Sequence, residues 1–174
     1  MESEKQFQPK PEKPKILYHA SRNSSISSFE PRRGKKRDES EGAQIFATPS
    51  KAMATIFLVD TDDSWTQSGA IDGNPYIVIS DRDHFESLDQ GGTIYALPSD
   101  TFESAPEKGL RELEYTSSEP VAPISSESVQ SGLEAMLESG VQVYFVDREM
   151  FEHIKNAEEA SGEIIKSLEP HKKF

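Results

Sequence analysis

The chain has 174 residues, a hydrophobic content of 34% and a formal net charge of −12; it is long enough to bury one core, and its acidity argues against a broad nucleic-acid-binding face. No apolar run approaches the length of a membrane span, and the lack of cysteine excludes a disulfide framework, a thiolate nucleophile and a cysteine-based zinc site. The four histidines stand far apart without metal-ligand spacing, so we expect no metal. From the lack of a long apolar run we expect no membrane contact and a cytoplasmic location.

The two ends of the chain differ in composition from its middle. Residues 1–15 hold three prolines and almost no apolar side chains, which is typical of a disordered leader and not of a secretory signal. We therefore expect a single domain over residues 16–168, followed by a flexible tail at residues 169–174.

The first expected strand covers residues 16–20, and a turn-rich, charged segment follows it. Within that segment, Ile26 and Phe29 are the apolar anchors to the core. The run "RRGKKR" at residues 32–37 places five cations among six residues. Two interpretations stay open for this run: a solvated loop, or a rim that binds phosphates near His19.

A second strand is expected over the sequence "AQIFATP", and a helix starts where this strand ends. Thr48 is the predicted N-cap of the helix, and Pro49 takes the first helical position, where its missing N–H costs nothing. Ala52, Ile56 and Val59 then share one face, which we expect to pack on the core.

The remaining elements alternate without a regular βα pattern. A polar loop is expected over residues 60–75 and an extended edge segment over 118–124. The expected strands cover residues 75–80, 91–98, 113–117 and 141–147. The expected helices cover residues 82–90, 125–140 and 148–169, the second ending at Gly140 and the last interrupted near Gly162.

This order of elements predicts an α+β fold: a single domain with a mixed, split β-sheet around one cleft and a few peripheral helices. The sequence contains no G-x-G-x-x-G or G-x-x-x-x-G-K-[ST] phosphate loop, which argues against a doubly wound sheet.

Polar side chains stand at the ends of three apolar strands, where loops on a rigid scaffold tend to carry function. They are His19 and Ser21 in "LYHAS", Thr48, Ser50 and Lys51 in "IFATPSKA", and Glu112, Glu114, Tyr115 and Ser117 in "ELEYTSSE". Each has a purely structural alternative: a histidine satisfied inside the fold, ordinary helix capping, and a surface carboxylate opposite a lysine.

The pieces "LYHAS", "IFATPSKAMAT", "YIVIS" and "LEYTSSEPVAP" follow one another in this order. In that order they resemble the ADP-ribosyltransferase superfamily, in the clade related to poly(ADP-ribose) polymerases and diphtheria toxin. The resemblance spans residues 16–123. It implies NAD as the substrate, cleavage of the nicotinamide–ribose bond, and transfer of ADP-ribose to an acceptor that stays open: a protein, a nucleic acid, a small molecule or water.

The resemblance also implies roles for particular residues. His19 would hold the ribose and the nicotinamide amide, and Glu114 would accept from the ribose 2′-hydroxyl and stabilise the transition state as nicotinamide leaves. These two are the expected catalytic residues. The expected NAD-binding residues are His19, Ser21, Arg32, Thr48, Ser50 and Thr55.

Two departures from the family pattern matter for activity. Ala20 stands where the family often has glycine, and the family's tyrosine falls near Thr55. The aromatic side chain under nicotinamide would then be missing or would come from elsewhere in the chain, with Phe57 and Trp65 as the candidates.

Other readings of the chain stay open. The NAD-dependent RNA 2′-phosphotransferases share the layout, and Arg22, Arg32 and Arg33 could grip a phosphate, but the acidity of the chain disfavours RNA. Glu112 and Glu114 could act as a pair of carboxylates on a sugar. The principal alternative is a catalytically degenerate domain or a non-enzymatic acidic protein that binds a basic partner.

Overall fold

The computed structural model describes residues 13–31, 44–104 and 113–172. The nine strands of these residues are β1 Ile16–Ser21, β2 Ile45–Ala47, β3 Thr66–Ile71, β4 Asn74–Ile79, β5 Gly92–Pro98, β6 Glu103–Ser104, β7 Tyr115–Ser117, β8 Ser125–Val129 and β9 Gln142–Phe145. The helices are α1 Lys51–Ile56, α2 Arg82–Leu88, α3 Gly132–Glu138, α4 Arg148–Asn156 and α5 Ser161–Lys166, with a 3-10 turn at Glu158–Ala160.

The strands form three small sheets, which confirms the α+β class. One sheet has the order β1-β5-β8 and a second the order β2-β7-β6, both antiparallel. In the third, β3-β4-β9, β4 pairs with β3 antiparallel and with β9 parallel. The first two sheets meet where the backbones of Tyr18 and Thr48 exchange two hydrogen bonds of 2.7 and 3.0 Å. The result is a split, mixed arrangement of strands.

Helix α1 connects the third sheet with the space between the other two. Met53 and Ile56 on one side of α1 join a buried cluster with Ile77 and Ile79 of β4 and Val143 of β9. Each such side chain stabilises the fold by about 1.5–3 kcal/mol when it leaves water. The opposite side of α1 does not pack into this cluster and faces β1.

The expected loop at residues 60–75 is wrong, because its second half forms β3 and a hairpin with β4. Asp72 and Gly73 both have positive φ, at 52° and 81°, as the two-residue turns that match strand twist require. Asp-Gly between two extended segments is the signal for such a hairpin. The segment "TQSG" at the start of β3 is polar, so the sequence pattern did not predict a strand there.

Helix α1 starts two residues later than expected. Ser50, not Thr48, is the N-cap, and its hydroxyl accepts from the Met53 N–H at 3.0 Å. The Thr48 hydroxyl accepts from the Ser50 N–H at 3.1 Å. Thr48 therefore shapes the turn before the helix, while its backbone pairs with Tyr18.

The expected helix at residues 125–140 divides into a strand and a shorter helix. Residues 125–129 pair with β5 as β8, and α3 begins after its N-cap Ser131. "SSESV" has almost no apolar side chains because β8 lies at a sheet edge and is mostly exposed. Gly140 follows α3 with φ of 91°, so the expected end of this helix is confirmed.

The expected interruption of the closing helix near Gly162 is confirmed, and it lies just before this residue. Helix α4 gives way to the 3-10 turn at Ala157, and Glu158 has a φ of 49°. Gly162 lies inside α5. The break therefore comes from a left-handed non-glycine residue that the sequence pattern does not reveal.

Domain contacts extend beyond the expected boundaries at residues 16 and 168. The Lys15 carbonyl accepts from the Ser99 N–H at 3.1 Å, and the His171 N–H donates to the Val143 carbonyl at 2.6 Å. The His171 ring also lies edge-on to Phe145. Across the stretches that the structure describes, no helix has the length and apolar character needed to cross a bilayer.

Candidate functional site

A cavity of about 250 Å³ opens between β1, β2, α1 and the residue that precedes β7. We call it the first cavity. Its walls are mostly apolar, and the polar side chains among them are few. The lining residues are Tyr18, His19, Ala20, Phe46, Ala47, Thr48, Ala54, Phe57 and Glu114.

The sheet topology explains why His19 and Glu114 line the same cavity. His19 lies in β1, next to Tyr18, whose backbone pairs with Thr48 just beyond β2. Strand β2 in turn pairs antiparallel with β7, with Ala47 opposite Tyr115. Glu114, one residue before Tyr115, therefore comes to the same end of these strands. Two residues far apart in sequence meet because β2 lies between their strands.

The imidazole of His19 is fixed in one orientation. Its Nδ1 lies 2.6 Å from the Phe46 carbonyl oxygen, and because a carbonyl only accepts, Nδ1 carries the proton. Burial lowers the pKa of His19 from its usual 6.5, and the hydrogen bond to Phe46 opposes this effect. The ring is thus neutral near pH 7, with the lone pair on Nε2 as the acceptor it can present to a ligand.

An aromatic contact with Phe29 also holds the imidazole ring of His19. The ring of Phe29 meets His19 edge-on with centroids 4.9 Å apart, and meets Tyr95 in the same way at 5.1 Å. Phe29 is itself anchored by two backbone hydrogen bonds to Val121. His19 is therefore both satisfied by the fold and placed in the wall of a cavity.

Glu114 is 4% exposed, although it lines the first cavity. A carboxylate in this position acts strongly on a positive charge that develops beside it, because little water is present to screen the interaction. The expectation that Glu114 is a surface carboxylate opposite a lysine does not fit this burial.

Phe57 and Trp65, the two candidates for an aromatic side chain under nicotinamide, differ in their placement. Phe57 lines the first cavity and is 54% exposed, an unusual position for a large apolar side chain. Trp65 is buried in the core formed with α1, and its ring lies 4.6 Å from that of His84. Of these two side chains, Phe57 is thus the one that a ligand in the first cavity can contact.

A second cavity of about 480 Å³ adjoins the first, and His19 and Phe46 line both. Most of its other lining residues are polar and come from the end of β1 and the loop that follows it: Ser21, Asn23, Ser25, Ser27, Ser28 and Glu30. The Ser21 hydroxyl accepts from the Asn23 N–H at 3.1 Å, which starts the turn of that loop. Ser21 therefore lies in the second cavity beside His19.

The other residues expected in the site have other placements. Ser50 caps α1, and Thr55 is buried with its hydroxyl donating to the Ala52 carbonyl at 2.6 Å; neither is among the lining of the two cavities. Arg22 lies in a neighbouring depression, 3.8 Å from Asp60. Arg32, Arg33, the rest of the basic run and Glu112 fall outside the described residues.

The sequence analysis missed Tyr18, Phe46 and Ala47 as parts of the site. Phe46 acts through its backbone carbonyl, which no sequence pattern marks. Tyr18 could have been predicted as a residue of the candidate site, because it is the neighbour of His19 in β1 and both faces of this strand are partly buried. Across residues 13–31, 44–104 and 113–172, no group of three or more His, Asp or Glu side chains is arranged to hold a metal ion.

The chain was compared with protein-family models, with curated proteins and with solved structures. No family model, curated protein or solved structure matches it. The geometry of the two cavities and the motifs of the sequence are the features of this chain that bear on function.

Proposed function

We propose that the protein binds NAD and cleaves its nicotinamide–ribose bond, passing ADP-ribose to an acceptor. The observation that carries this proposal is that His19 and Glu114 line one mostly apolar cavity. The sequence motifs that suggest the ADP-ribosyltransferase superfamily are centred on these two residues. His19 lies in β1 of one sheet, and Glu114 immediately precedes β7 of another. An apolar cavity with few, fixed polar groups is the usual form of a small-molecule site.

The binding step uses the fixed orientation of His19. Because Nδ1 donates to the Phe46 carbonyl, Nε2 is left to accept from a ribose hydroxyl or from the nicotinamide amide N–H. The Phe57 ring offers a flat apolar surface against which the nicotinamide ring can stack. Ser21 lies on the side of the second cavity, where the rest of the dinucleotide would extend.

The chemical step uses Glu114. When the C–N bond to nicotinamide breaks, both bonding electrons leave with nicotinamide and the ribose gains oxocarbenium character. A buried carboxylate that accepts from the 2′-hydroxyl stabilises this positive charge more than it stabilises the uncharged sugar of the ground state. The nucleophile of the acceptor then forms a bond to the ribose carbon and gives up its proton.

The test combines binding and turnover. Calorimetric titration with NAD and with a non-hydrolysable NAD analogue measures binding, and release of nicotinamide measures cleavage. We expect Glu114→Gln to bind the analogue within about threefold of wild type but to release nicotinamide at least ~100-fold more slowly, since the change removes charge and keeps shape.

The matched control is Glu134→Gln, which removes the same charge from an exposed position on α3. It should leave both measurements unchanged. Wild-type protein that binds neither NAD nor the analogue would overturn the proposal and favour an acidic interaction protein. Binding without nicotinamide release, in the presence of any acceptor tried, would favour a domain that binds NAD without cleaving it.

A further inference from the structure

We propose that Tyr95 is a positioning residue for the site: its hydroxyl holds the loop after β1, and its ring holds Phe29 and, through Phe29, His19. This inference rests on the proposed function for its effect on NAD. Its structural content can be tested without NAD.

Tyr95 stands directly opposite His19 in the pairing of β1 with β5. Residues opposite each other in an antiparallel pair point to the same face of the sheet. Tyr95 is 1% exposed, so its hydroxyl lies away from water and needs partners within the protein. The fold thus places a buried phenol on the face that carries the imidazole.

The Tyr95 hydroxyl makes two hydrogen bonds to one loop. It donates to the Asn23 carbonyl at 2.5 Å and accepts from the Ile26 N–H at 3.2 Å. Asn23 and Ile26 both line the second cavity. A single hydroxyl therefore fixes two points of the backbone that forms the wall of this cavity.

Within the described residues, the hydrogen bonds that join Asn23 and Ile26 to another segment are the two to Tyr95, and the Ile26 side chain also packs against the core cluster that contains Tyr95. The Asn23 side chain accepts from the N–H and the hydroxyl of Ser25, which are contacts inside the loop. The next backbone tie to another segment is the pair between Phe29 and Val121. Loss of the Tyr95 hydroxyl would therefore free the segment between Ser21 and Phe29 without removing a core side chain.

Phe29 extends the effect to His19. Its ring contacts Tyr95 on one side and His19 on the other, each in an edge-on geometry. The Phe29 backbone is held by Val121, so a change at either aromatic neighbour is met by movement of the Phe29 ring and not of its backbone. Tyr95 thus helps to position the Phe29 ring, which the His19 imidazole contacts.

The variant that tests this is Tyr95→Phe, which removes the hydroxyl and keeps the ring. We expect amide hydrogen exchange at Ile26 to accelerate at least ~10-fold, while the β5 amides keep their protection and the His19 ring resonances, which depend on the retained Tyr95 ring, stay close to their wild-type positions. In nicotinamide release, KM for NAD should rise about 5–10-fold with kcat within about twofold, since a misplaced loop weakens ground state and transition state alike.

The control is Tyr76→Phe, which also removes a buried hydroxyl, one that accepts from the Gln67 side chain in the β3–β4 hairpin. It should leave Ile26 exchange, the His19 resonances and KM unchanged. A second variant, Phe29→Leu, should move the His19 resonances while Ile26 exchange stays slow, because the Tyr95 hydroxyl remains.

Each outcome decides the proposal. Unchanged Ile26 exchange in folded Tyr95→Phe, or unchanged His19 resonances in Phe29→Leu, would overturn it. If Tyr95→Phe does not fold, the wild-type protein still provides a test: fast exchange at Ile26 would show that the hydroxyl does not hold this N–H, and slow exchange with a response of His19 to Phe29→Leu supports the proposal. Failure of the proposed function shows separately, as absent NAD binding and nicotinamide release in wild type.

Discussion

At the scale of single residues, His19 is held by the fold and also lines a cavity. Its Nδ1 donates to Phe46 and its ring packs on Phe29, which satisfies the residue inside the fold. The same hydrogen bond leaves Nε2 as the acceptor at a cavity wall. The structural and the ligand-binding interpretations of His19 are therefore compatible, because Nδ1 makes the bond within the fold and Nε2 can accept from a ligand.

Replacing His19 by alanine should separate these two contributions. The loss of the hydrogen bond to Phe46 should lower the free energy of unfolding by about 1–2 kcal/mol, which leaves the fold intact. NAD binding should fall at least about tenfold, or ~1.4 kcal/mol, since the ligand loses its acceptor. Urea unfolding and calorimetry measure the two effects; a folded variant with undiminished NAD affinity would remove His19 from the site.

The lowered pKa of His19 makes a prediction about pH. The unfolded state takes up a proton near pH 6.5, before the folded state does, so the free energy of unfolding should decrease as the pH falls below about 6.5. Above that value both states are neutral at this residue, and the contribution is constant. His19→Asn lacks the titrating group while keeping a side-chain donor.

Urea unfolding of both proteins between pH ~8 and ~5.5 should show a steeper loss for wild type than for His19→Asn, by up to ~1.4 kcal/mol for each unit by which the pKa is lowered. The difference between the two proteins isolates His19 from all other titrating groups. Parallel curves would contradict the lowered pKa, as would a titration of the His19 resonances at or above the usual value.

At the scale of secondary-structure elements, Asp89 connects α2 with α3. Its carboxylate accepts from the N–H groups of Gly91, Gly132 and Leu133 and from the Ser131 hydroxyl, at 2.7–3.1 Å. Three of these donors belong to the first turn of α3 or its N-cap. A single side chain thus satisfies donors that a helix start otherwise leaves to water.

Asp89→Ala should be more destabilising than an ordinary cap deletion. It leaves several donors without their charged acceptor, for which we expect a loss of about 2–4 kcal/mol. The comparison is Asp81→Ala at the N-cap of α2, where the carboxylate accepts from the His84 N–H and the expected loss is ~1 kcal/mol. Urea unfolding of the two variants ranks them, and equal losses would show that the four contacts do not act together.

The elements that the sequence predicted well are those whose burial makes a pattern. "YIVIS" and "VQVYFVD" form β4 and β9 because both are buried in the third sheet. Strands β3 and β8 were missed because their side chains are mostly polar and they are held by pairing with β4 and β5. Such strands are defined by their neighbours in space, which local sequence does not contain.

The site was predictable to a similar extent. His19 and Glu114 stood at strand ends next to recognisable motifs, and they line one cavity. Thr55 was placed there by alignment with a family motif, yet it is buried with its hydroxyl bonded to its own helix. The sequence does not show which face of a short helix meets the core, and that face decides between Thr55 and Phe57.

At the scale of the whole molecule, charge is the dominant unbalanced feature. The formal charge is −12, whereas the ion pairs of the described residues, such as Lys51–Glu127 and Arg148–Glu152, join partly exposed side chains. Exposed pairs contribute about 0–1 kcal/mol each. We therefore expect repulsion among the excess carboxylates to destabilise the fold by more than these pairs stabilise it.

Moderate salt should consequently stabilise the protein. Raising NaCl from about 0.02 M to 0.3 M shortens the screening length to below ~10 Å, which weakens repulsion across the surface more than the close contacts within ion pairs. We expect the urea midpoint at pH 7 to rise and the slope of unfolding to stay the same. Near the isoelectric point the excess charge vanishes, so the same salt step should there leave the midpoint unchanged or lower it. A midpoint at pH 7 that falls with salt would show that the ion pairs, and not the net charge, dominate the electrostatics of this fold.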